Sequence, residues 1–399
     1  MTAPRPLVFR DELLDAQLLR AVAHGTYGGA ELGECLVAAR AIRPDDRESW
    51  RTAWLELADR SFAAGEAAAH GGDPIGARHA FLRASNYYRT SYVLHLEAPL
   101  PPSALDAYRR HREAFVRAGV AESLAIPFEG GSLPGYVCSG GAGRRPVVIS
   151  VGGYDSTAEE SYFWNGVAAN ERGFHAVLFD GPGQGAMLLE RGVAMRPDWR
   201  GPIGAVIDAV ASRPDVDPDR IIVWGESFGG YLVPRAAAGD PRIAACVLDP
   251  AQLGLFQAAR ARIPLPASVK AQLPGGPRWA ISLLRFVLSR RARQLTAGWA
   301  LRRGMLVHGV ASPWDYLVDT ARYDQIDPAT IRCPTLVCDA DSDDISASAR
   351  EFYDRLACDR GYLRFTAAEG AGAHCIVGAR SILHARAYEW LAPRLRSRS

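Results

Sequence analysis

The sequence lacks a strong excess of charge of either sign. Its 399 residues include 46 Lys and Arg and 44 Asp and Glu, so the formal net charge is only +2. Proteins that bind nucleic acid or anionic lipid through charge need a surplus of positive side chains. We therefore expect neither nucleic acid nor a membrane among the partners of this chain.

Long apolar runs are also absent. Arg5, Arg10, Asp11 and Glu12 interrupt the N-terminal segment, and no later stretch approaches the roughly 20 apolar residues of a membrane-spanning helix. A secretory signal needs an uninterrupted apolar segment near the N-terminus. Because neither pattern is found, we predict a cytoplasmic location.

The cysteines are few and scattered. Seven are present, an odd number, and they do not form pairs with short spacings. This pattern argues against a disulfide framework and against a zinc site. Most of these cysteines are expected to be small buried residues.

The first third of the chain is predicted to be helical. From Asp11 to about Gly119, apolar residues recur at helical spacing and no strand-like alternation is seen. One helix is expected over Thr52–His70, and Asp73-Pro74 supplies the cap and first-turn proline of the next. We assign residues 1–120 to an N-terminal helical domain.

The helix that begins after Asp73 carries aromatic side chains at helical spacing, among them Phe81, Tyr87, Tyr88 and Tyr92. Such a stripe usually belongs to a hydrophobic core. Part of it could instead line a pocket, and both interpretations stay open.

After Gly119 the pattern changes to short extended stretches. A β-hairpin is predicted over Leu124–Phe128 and Gly135–Cys138. Helical patterns separate most of six further apolar stretches, which are 146–151, 175–179, 220–224, 243–248, 335–338 and 362–365. This alternation predicts an α/β protein with a mostly parallel sheet covered on both faces. Functional residues of such sheets lie beyond the carboxyl ends of the strands.

The pentapeptide Gly225–Gly229 has the form Gly-X-Ser-X-Gly and directly follows an apolar stretch. Small neighbours let the chain turn sharply from a strand into a helix, which exposes the Ser227 hydroxyl in strained backbone geometry. The N–H groups and positive end of the following helix favour an oxyanion at that hydroxyl. We predict that Ser227 is a nucleophile.

A second glycine-rich loop, Gly152–Ser156, follows the apolar stretch that ends at Val151. Adjacent glycines leave backbone N–H groups uncovered, as an oxyanion hole requires. We expect this hole to be formed by the N–H groups of Phe228 and of Gly153 or Tyr154.

Two further loops imitate cofactor or metal motifs. Asp180–Ala186 fits a dinucleotide fingerprint, but its internal proline and the weak helix after it leave no helix N-terminus for a pyrophosphate. Asp339–Asp344 begins like a calcium loop, but Asp344 replaces the required Gly and Arg350 the required Glu. We therefore expect no cofactor and no metal ion.

Three residues could form a catalytic triad. His374 lies in a loop of small residues, and the chain order Ser227, Asp343, His374 matches that of one hydrolase architecture. Each follows a separate predicted strand, so all three could meet at one edge of the sheet. We predict that His374 takes the proton of Ser227 and that Asp343 fixes the histidine tautomer. Asp341 competes with Asp343 for the acid role.

About 80 residues separate Asp249-Pro250 from the strand at Thr335, far more than a usual sheet connection. An insertion of this length at the functional edge predicts a lid over about residues 251–330. Most aromatic residues of this segment are expected in the lid core and a few at the substrate; they are Phe256, Trp279, Phe286, Trp299, Trp314 and Tyr316.

Several motifs carry a family resemblance; they are Gly152–Ser156 with Glu159-Glu160, Asp180–Gly185, Gly225–Gly230, Cys333–Val337 ahead of Asp343, and Glu369–Ala371 with His374-Cys375. Together they resemble α/β-hydrolases of the group that contains 2,6-dihydroxypseudooxynicotine hydrolase, FrsA-like proteins and fungal yellowish-green (polyketide-shortening) hydrolases. The similarity covers most of the chain from Ala121 onward. The segment Ala84–Arg89 also resembles the N-terminal domain of that group.

The resemblance implies an α/β-hydrolase fold of eight strands, with a catalytic domain over residues 121–399 and the N-terminal helices as a cap. It implies no cofactor. Better-known members of the group cleave a carbon–carbon bond next to a ketone by a retro-Claisen-type attack, and other relatives are esterases or acyl peptidases.

The sequence departs from the family pattern at Cys338–Ala340, which replaces the usual His-Gly before the acid. An additional acid that protonates a carbanion cannot be placed by motif. Glu226 and Asp249 are conceivable positions for it, and Asp155 is a further secondary candidate.

We therefore predict a serine hydrolase that acts through an acyl-enzyme on a small aromatic or polyketide-like ketone or ester. Carbon–carbon cleavage and ester cleavage both stay open. The same triad could serve an acyltransferase or cyclase, and the fold could also belong to a non-catalytic binding protein. The expected partner is a small-molecule substrate, and a homodimer stays open.

Overall fold

The structure is a computed structural model that describes residues 6–261, 263–323 and 326–395. Residues 1–5 of the N-terminal segment and residues 262, 324 and 325 of the expected lid lie outside the described residues. No helix within the described ranges has the length and apolar character needed to cross a membrane.

The N-terminal part of the chain is helical, as predicted. Its helices are α1 Glu12–Ala23, α2 Leu32–Ala41, α3 Arg47–His70, α4 Pro74–Tyr92 and α5 Pro102–Ala118. The helix α3 begins before the predicted Thr52 because the Asp46 side chain accepts the N–H groups of Glu48 and Ser49. The helix α5 ends at Gly119, whose φ of +65° is readily adopted only by glycine.

Eight strands form one sheet. They are β1 Glu122–Phe128, β2 Gly131–Cys138, β3 Arg145–Val151, β4 His175–Phe179, β5 Val216–Glu226, β6 Ile243–Asp249, β7 Thr335–Ala340 and β8 Arg360–Phe365. Their order is β1-β2-β4-β3-β5-β6-β7-β8, and only the pairings of β2 with β1 and β4 are antiparallel. The predicted α/β class, the N-terminal hairpin and the mostly parallel sheet are confirmed.

Helices lie between the strands and after the last one. They are α6 Ala158–Ser161, α7 Val167–Asn170, α8 Gly185–Leu189, α9 Arg200–Ala211, α10 Gly229–Ala237, α11 Leu255–Ala261, α12 Ala267–Lys270, α13 Arg278–Ala292, α14 Trp299–His308, α15 Pro313–Thr320, α16 Ala349–Arg355 and α17 Arg380–Leu391. The helices α11–α15 fill the long segment between β6 and β7.

The sheet is buried on both faces. Val147 and Ile149 of β3 pack into one apolar cluster, together with α9 and α10, whereas the intervening Val148 packs into a second cluster. The second cluster also contains Phe81 of α4 and Phe115 of α5. Alternation of this kind follows from the two-residue period of a strand. The N-terminal helices therefore pack against the face of the sheet opposite α9 and α10.

The segment between β6 and β7 packs only partly as predicted. Trp314 is buried in a small apolar cluster of this segment, and the Trp299 indole N–H donates to the carbonyl of Val93 at 2.8 Å. Most of the lid aromatic residues are expected in the lid core, but Trp279 and Phe286 are 58% and 59% exposed. These two side chains lie on the outer side of α13.

Candidate active site

The pentapeptide forms a sharp turn between β5 and α10. Ser227 has a φ of +53°, in the left-handed region that is unfavourable for a non-glycine residue. A Cβ atom on Gly225 would lie 2.3 Å from the carbonyl oxygen of Gly229, and one on Gly229 would lie 2.1 Å from that of Val151. Only glycine fits at both positions, so the two glycines permit the turn that presents Ser227.

The turn is held by the neighbouring strand. The Ser227 N–H donates to the carbonyl of Asp249 at 2.7 Å, at the end of β6. The helix α10 begins at Gly229, two residues after the serine. Its N-terminus supplies a positive partial charge close to the Ser227 hydroxyl.

The three residues of the predicted triad are in contact. The distance from His374 Nε2 to Ser227 Oγ is 2.9 Å, and His374 Nδ1 lies 2.8 Å from Asp343 Oδ2. Asp343 also accepts the N–H of Ile345 and the hydroxyl of Ser346. Burial disfavours the charge of Asp343, but these hydrogen bonds, with that of His374 the strongest, lower its pKa. Asp343 is therefore held as a carboxylate.

Asp341, the competing acid, does not contact His374. Its Oδ1 accepts the N–H of Ala367 at 3.0 Å and the hydroxyl of Ser342 at 2.9 Å. Asp341 thus connects β7 to the loop after β8, and the carboxylate next to His374 is Asp343.

The loop after β3 lies against the serine. A Cβ atom on Gly153 would be 2.8 Å from the Ser227 Cβ, so this glycine permits the close approach. The Gly153 N–H donates to Ser156 Oγ at 3.0 Å. Within the part of the chain that the structure describes, the N–H groups of Tyr154 and Phe228 have no hydrogen-bond acceptor.

The Tyr154 side chain joins this loop to the segment between β6 and β7. Its hydroxyl lies 2.7 Å from His308 Nε2, and His308 Nδ1 lies 2.6 Å from Asp319. Burial lowers the pKa of His308 although Asp319 opposes the shift, so the neutral imidazole accepts from Tyr154 and donates to Asp319. The Tyr154 ring also stacks on Phe228, with centroids 4.8 Å apart. Sequence reasoning identified neither His308 nor Asp319.

Asp155 is surrounded by arginines from three helices. Its carboxylate lies 2.9 Å from Arg20 of α1, 3.3 Å from Arg89 of α4 and 3.2 Å from Arg303 of α14. Burial disfavours the charge of Asp155, but the three guanidinium groups outweigh it and hold its pKa well below the ordinary value. Asp155 therefore joins the N-terminal helices and α14 to the loop beside Ser227.

Glu226 and Asp249 lie behind the turn rather than in front of it. Both carboxylates are buried and pair with Arg380 of α17, and the Asp249 contact is 2.7 Å. Burial raises the pKa of Glu226 to about 7, and it also raises that of Asp249, although Arg380 opposes both shifts. One buried cation thus pairs with two buried carboxyl groups beneath Ser227. Sequence reasoning did not identify Arg380.

Replacing Arg380 with methionine should lower the free energy of unfolding by about 3–5 kcal/mol, because it leaves two buried carboxylates without a cation. Urea denaturation measures this loss. Arg386, on the same helix, pairs with Glu369 at the surface, and Arg386→Met serves as the control with little expected change. Equal stability of the two variants would show that the buried cluster contributes nothing.

The pH dependence of stability tests the shifted carboxyl of Glu226. Its folded pKa of about 7 lies above the ordinary value of 4.5, so the folded state binds the proton more tightly and stability falls as the pH rises between these values. Glu226→Gln removes this dependence. As the pH rises from 5 to 8, the unfolding free energy of the wild type should therefore fall by about 2–3 kcal/mol relative to that of the variant. Parallel stability curves for the two proteins would contradict the raised pKa.

A small cavity lies where α4, the loop after β3 and α14 meet. Its lining includes Tyr92, Leu96, Tyr154, Asp155 and Arg303. On the aromatic stripe of α4, Phe81, Tyr87 and Tyr88 are core residues, whereas Tyr92 reaches the cavity. A larger depression lies at the opposite edge of the sheet, at the amino ends of β5, β6 and β7, and is remote from Ser227.

The two motif-like loops have structural partners. Asp180 accepts the N–H groups of Ala158 and Ala186, which makes its loop a tight turn. In the calcium-like loop, Asp343 faces His374 and Asp341 faces the loop after β8. Within residues 6–261, 263–323 and 326–395, no group of three or more His, Cys, Asp and Glu side chains could hold a metal ion.

Comparisons with known proteins identify relatives of this chain. A family model described as the alpha/beta hydrolase family matches residues 141–380. Hydrolase LUC6 of a Fusarium species is 34% identical over 96% of this chain and 97% of its own length. For 20-hydroxy-prefusarin hydrolase FUS2 of Gibberella moniliformis, the identity is 33% over 96% and 97% of the two chains. The crystal structure of 2,6-dihydroxy-pseudo-oxynicotine hydrolase has a TM-score of 0.74 at 21% identity and covers 94% of this chain and 96% of that chain, which shows a shared fold.

Proposed function

Because the chain belongs to the alpha/beta hydrolase family, we propose that it is a serine hydrolase acting on a small aromatic or polyketide-like ketone or ester. The single observation that carries this proposal is the contact of His374 Nε2 with Ser227 Oγ at 2.9 Å, together with that of Nδ1 with Asp343 at 2.8 Å. A serine next to a base, with the base oriented by a carboxylate, is the arrangement of an activated nucleophile.

The proposed reaction begins with attack of Ser227 Oγ on the substrate carbonyl carbon. His374 Nε2 takes the hydroxyl proton as the new carbon–oxygen bond forms, and the carbonyl oxygen becomes an oxyanion. Asp343 accepts the hydrogen bond of Nδ1, which keeps the Nε2 lone pair directed at the serine and stabilises the imidazolium.

The N–H groups of Phe228 and Tyr154 are the proposed donors to this oxyanion. Neither has an acceptor among the residues that the structure describes, whereas the Gly153 N–H already donates to Ser156. Unpaired donors next to the nucleophile can stabilise the developing charge without reorganisation. Gly153 contributes instead through its missing side chain, which lets the loop approach Ser227.

Collapse of the tetrahedral intermediate breaks the bond to the leaving group, which takes the proton from His374. The proton goes to oxygen when an ester is cleaved and to carbon when a ketone loses an enolate or aryl carbanion. Water then attacks the acyl-enzyme and gives a proton to His374, and the acid leaves as His374 passes that proton to Ser227 Oγ. The contacts of Glu226 and Asp249 with Arg380 favour a structural role for these two carboxylates rather than proton delivery.

A small-molecule substrate agrees with the surroundings of Ser227. We propose that residues 1–120 form a cap and that the segment 251–330 forms a lid. Asp155 positions both, because Arg20, Arg89 and Arg303 converge on it from α1, α4 and α14. The relative from Gibberella moniliformis is named as a hydrolase of 20-hydroxy-prefusarin, which supports a small-molecule substrate for this chain.

A panel of aryl ketones, β-diketones and aryl esters tests the proposal when it is offered to wild-type and Ser227→Ala protein, with products identified by mass spectrometry. Release of an acid by the wild type alone supports a serine hydrolase. Cleavage of esters only would remove carbon–carbon hydrolysis. Formation of an ester or a ring instead of an acid would favour an acyltransferase or cyclase.

A further inference from the structure

The segment between β6 and β7 has an unusual charge composition. From Pro250 to Trp314 the sequence contains ten Lys and Arg residues and no Asp or Glu, although the formal net charge of the whole chain is only +2. The positive charge of the protein is therefore concentrated on one segment. A local surplus of this kind attracts anionic surfaces within about a Debye length, whatever the total charge.

One helix of this segment, α13, exposes a stripe of large apolar side chains. Trp279, Leu283, Phe286 and Val287 are 58%, 46%, 59% and 44% exposed. Their spacing places them on one side of the helix, because residues three and four apart lie on the same face. The helix is attached to the protein by its other side, where Leu284 is buried with Trp314 and Leu317 in an apolar cluster.

Arginines flank this apolar stripe. Five are exposed on α13 or at its C-terminus, and they are Arg278, Arg285, Arg290, Arg291 and Arg293. Among residues 6–261, 263–323 and 326–395, no carboxylate forms an ion pair with any of the five. Arg290 lies over the Phe286 ring at 5.2 Å, which keeps its charge at the edge of the stripe.

We propose that α13 is a membrane-surface helix whose exposed apolar stripe inserts among the headgroups of an anionic bilayer while the arginines bind the lipid phosphates. A helix with Trp, Phe and Leu on one face and arginines beside them has the composition of an interfacial helix. Each basic side chain near an anionic leaflet adds to the attraction. This inference does not depend on the proposed hydrolase reaction.

Two other occupants fit the helix less well. A symmetric pairing of two copies through α13 would bring arginines against arginines, because a two-fold interface places the same patch on both subunits. The stripe from Trp279 to Val287 is only about 12 Å long. It is therefore much smaller than the roughly 800 Å² of surface that each partner buries in a stable protein–protein interface. A bilayer needs no matching pocket and accepts a stripe of this size.

Vesicle flotation tests the proposal with the full-length protein. Vesicles of phosphatidylcholine containing phosphatidylglycerol should carry the wild type, and vesicles of phosphatidylcholine alone should carry at least about 10-fold less. The Trp279→Ser/Phe286→Ser variant should bind the anionic vesicles about 10-fold more weakly. The control is Val37→Ser/Ile75→Ser, which removes two side chains of α2 and α4 that are 58% and 65% exposed, and it should bind as the wild type does.

Circular dichroism and the urea unfolding midpoint establish that each variant is folded. The proposal is overturned if the folded wild type does not float with anionic vesicles, or if the α13 variant binds them as well as the control does. It is also overturned if sedimentation shows a wild-type dimer that the α13 variant cannot form. Binding to soluble polyglutamate but not to vesicles would assign the helix to an acidic protein instead.

Discussion

Replacing Ser227 with alanine should lower kcat by about 10⁵–10⁶-fold, because it removes the oxygen that would form the acyl-enzyme. The fold should be kept, since Ser227 already has a φ of +53° and alanine places no larger group at the turn. Hydrolysis of the best ester or ketone of the substrate panel measures the rate. A fluorophosphonate reagent provides a second measurement, because it labels an activated serine covalently and the adduct is seen by intact mass.

Cys375 supplies the control for this substitution. Its Sγ lies 3.4 Å from His374 Nε2, so it is the other side chain near the base that could act as a nucleophile. Burial raises the pKa of this thiol well above its ordinary value, which makes a thiolate unfavourable. The Cys375→Ser variant should therefore still be labelled by the fluorophosphonate and keep most of the hydrolysis rate of the wild type. Normal turnover by Ser227→Ala would disprove the nucleophile, and a folded wild type that takes no label would favour a binding protein.

The edge of the sheet that carries these residues could be predicted from the sequence. Ser227, Asp343 and His374 each follow an apolar stretch that ends in small or polar residues. Parallel strands place their carboxyl ends at one edge, so three residues far apart in the chain are expected to meet. The strands β5 and β7 end two residues later than predicted, at Glu226 and Ala340, because those residues still pair with β6 and β8.

The groups that hold this edge in place could not be predicted in the same way. Arg380 contacts Glu226 and Asp249 across more than a hundred residues of sequence, and no spacing relates them. The contact of His308 with Tyr154 is equally distant. Local periodicity carries information about one element at a time, whereas these hydrogen bonds depend on how separate elements pack.

The prediction of no membrane partner stays a prediction, which the vesicle experiment on α13 tests. It depends on the net charge, which averages the acid-free segment around α13 with a more acidic remainder. The helical period of α13 does predict an apolar side, but periodicity does not tell which side faces the protein. The expectation that most lid aromatic residues lie in the lid core therefore does not separate the exposed Trp279 and Phe286 from the buried Leu284.

The choice of triad acid leads to the second large expected effect. Replacing Asp343 with asparagine should lower kcat by about 10⁴-fold, because an amide N–H can donate to His374 Nδ1 and so favour the tautomer with its proton on Nε2. That tautomer cannot accept the Ser227 proton. The amide oxygen of the new side chain can still accept the N–H of Ile345, and the Ser346 hydroxyl, which contacts the same carboxylate oxygen as His374, can accept the second amide N–H, so the unfolding midpoint in urea should change little. Ester hydrolysis measures the rate.

Asp341→Asn is the matched control, since it makes the same chemical change two residues earlier. Its oxygen can still accept from Ala367 and Ser342, and Asp341 does not touch His374, so kcat should stay within about twofold of the wild type. The reverse result, a large loss in Asp341→Asn and none in Asp343→Asn, would mean that the loop after β7 rearranges before catalysis. The two carboxylates have the same chemistry and differ in their contact with His374 Nδ1. The ratio of the kcat losses in the two variants therefore measures how much that contact contributes to the rate.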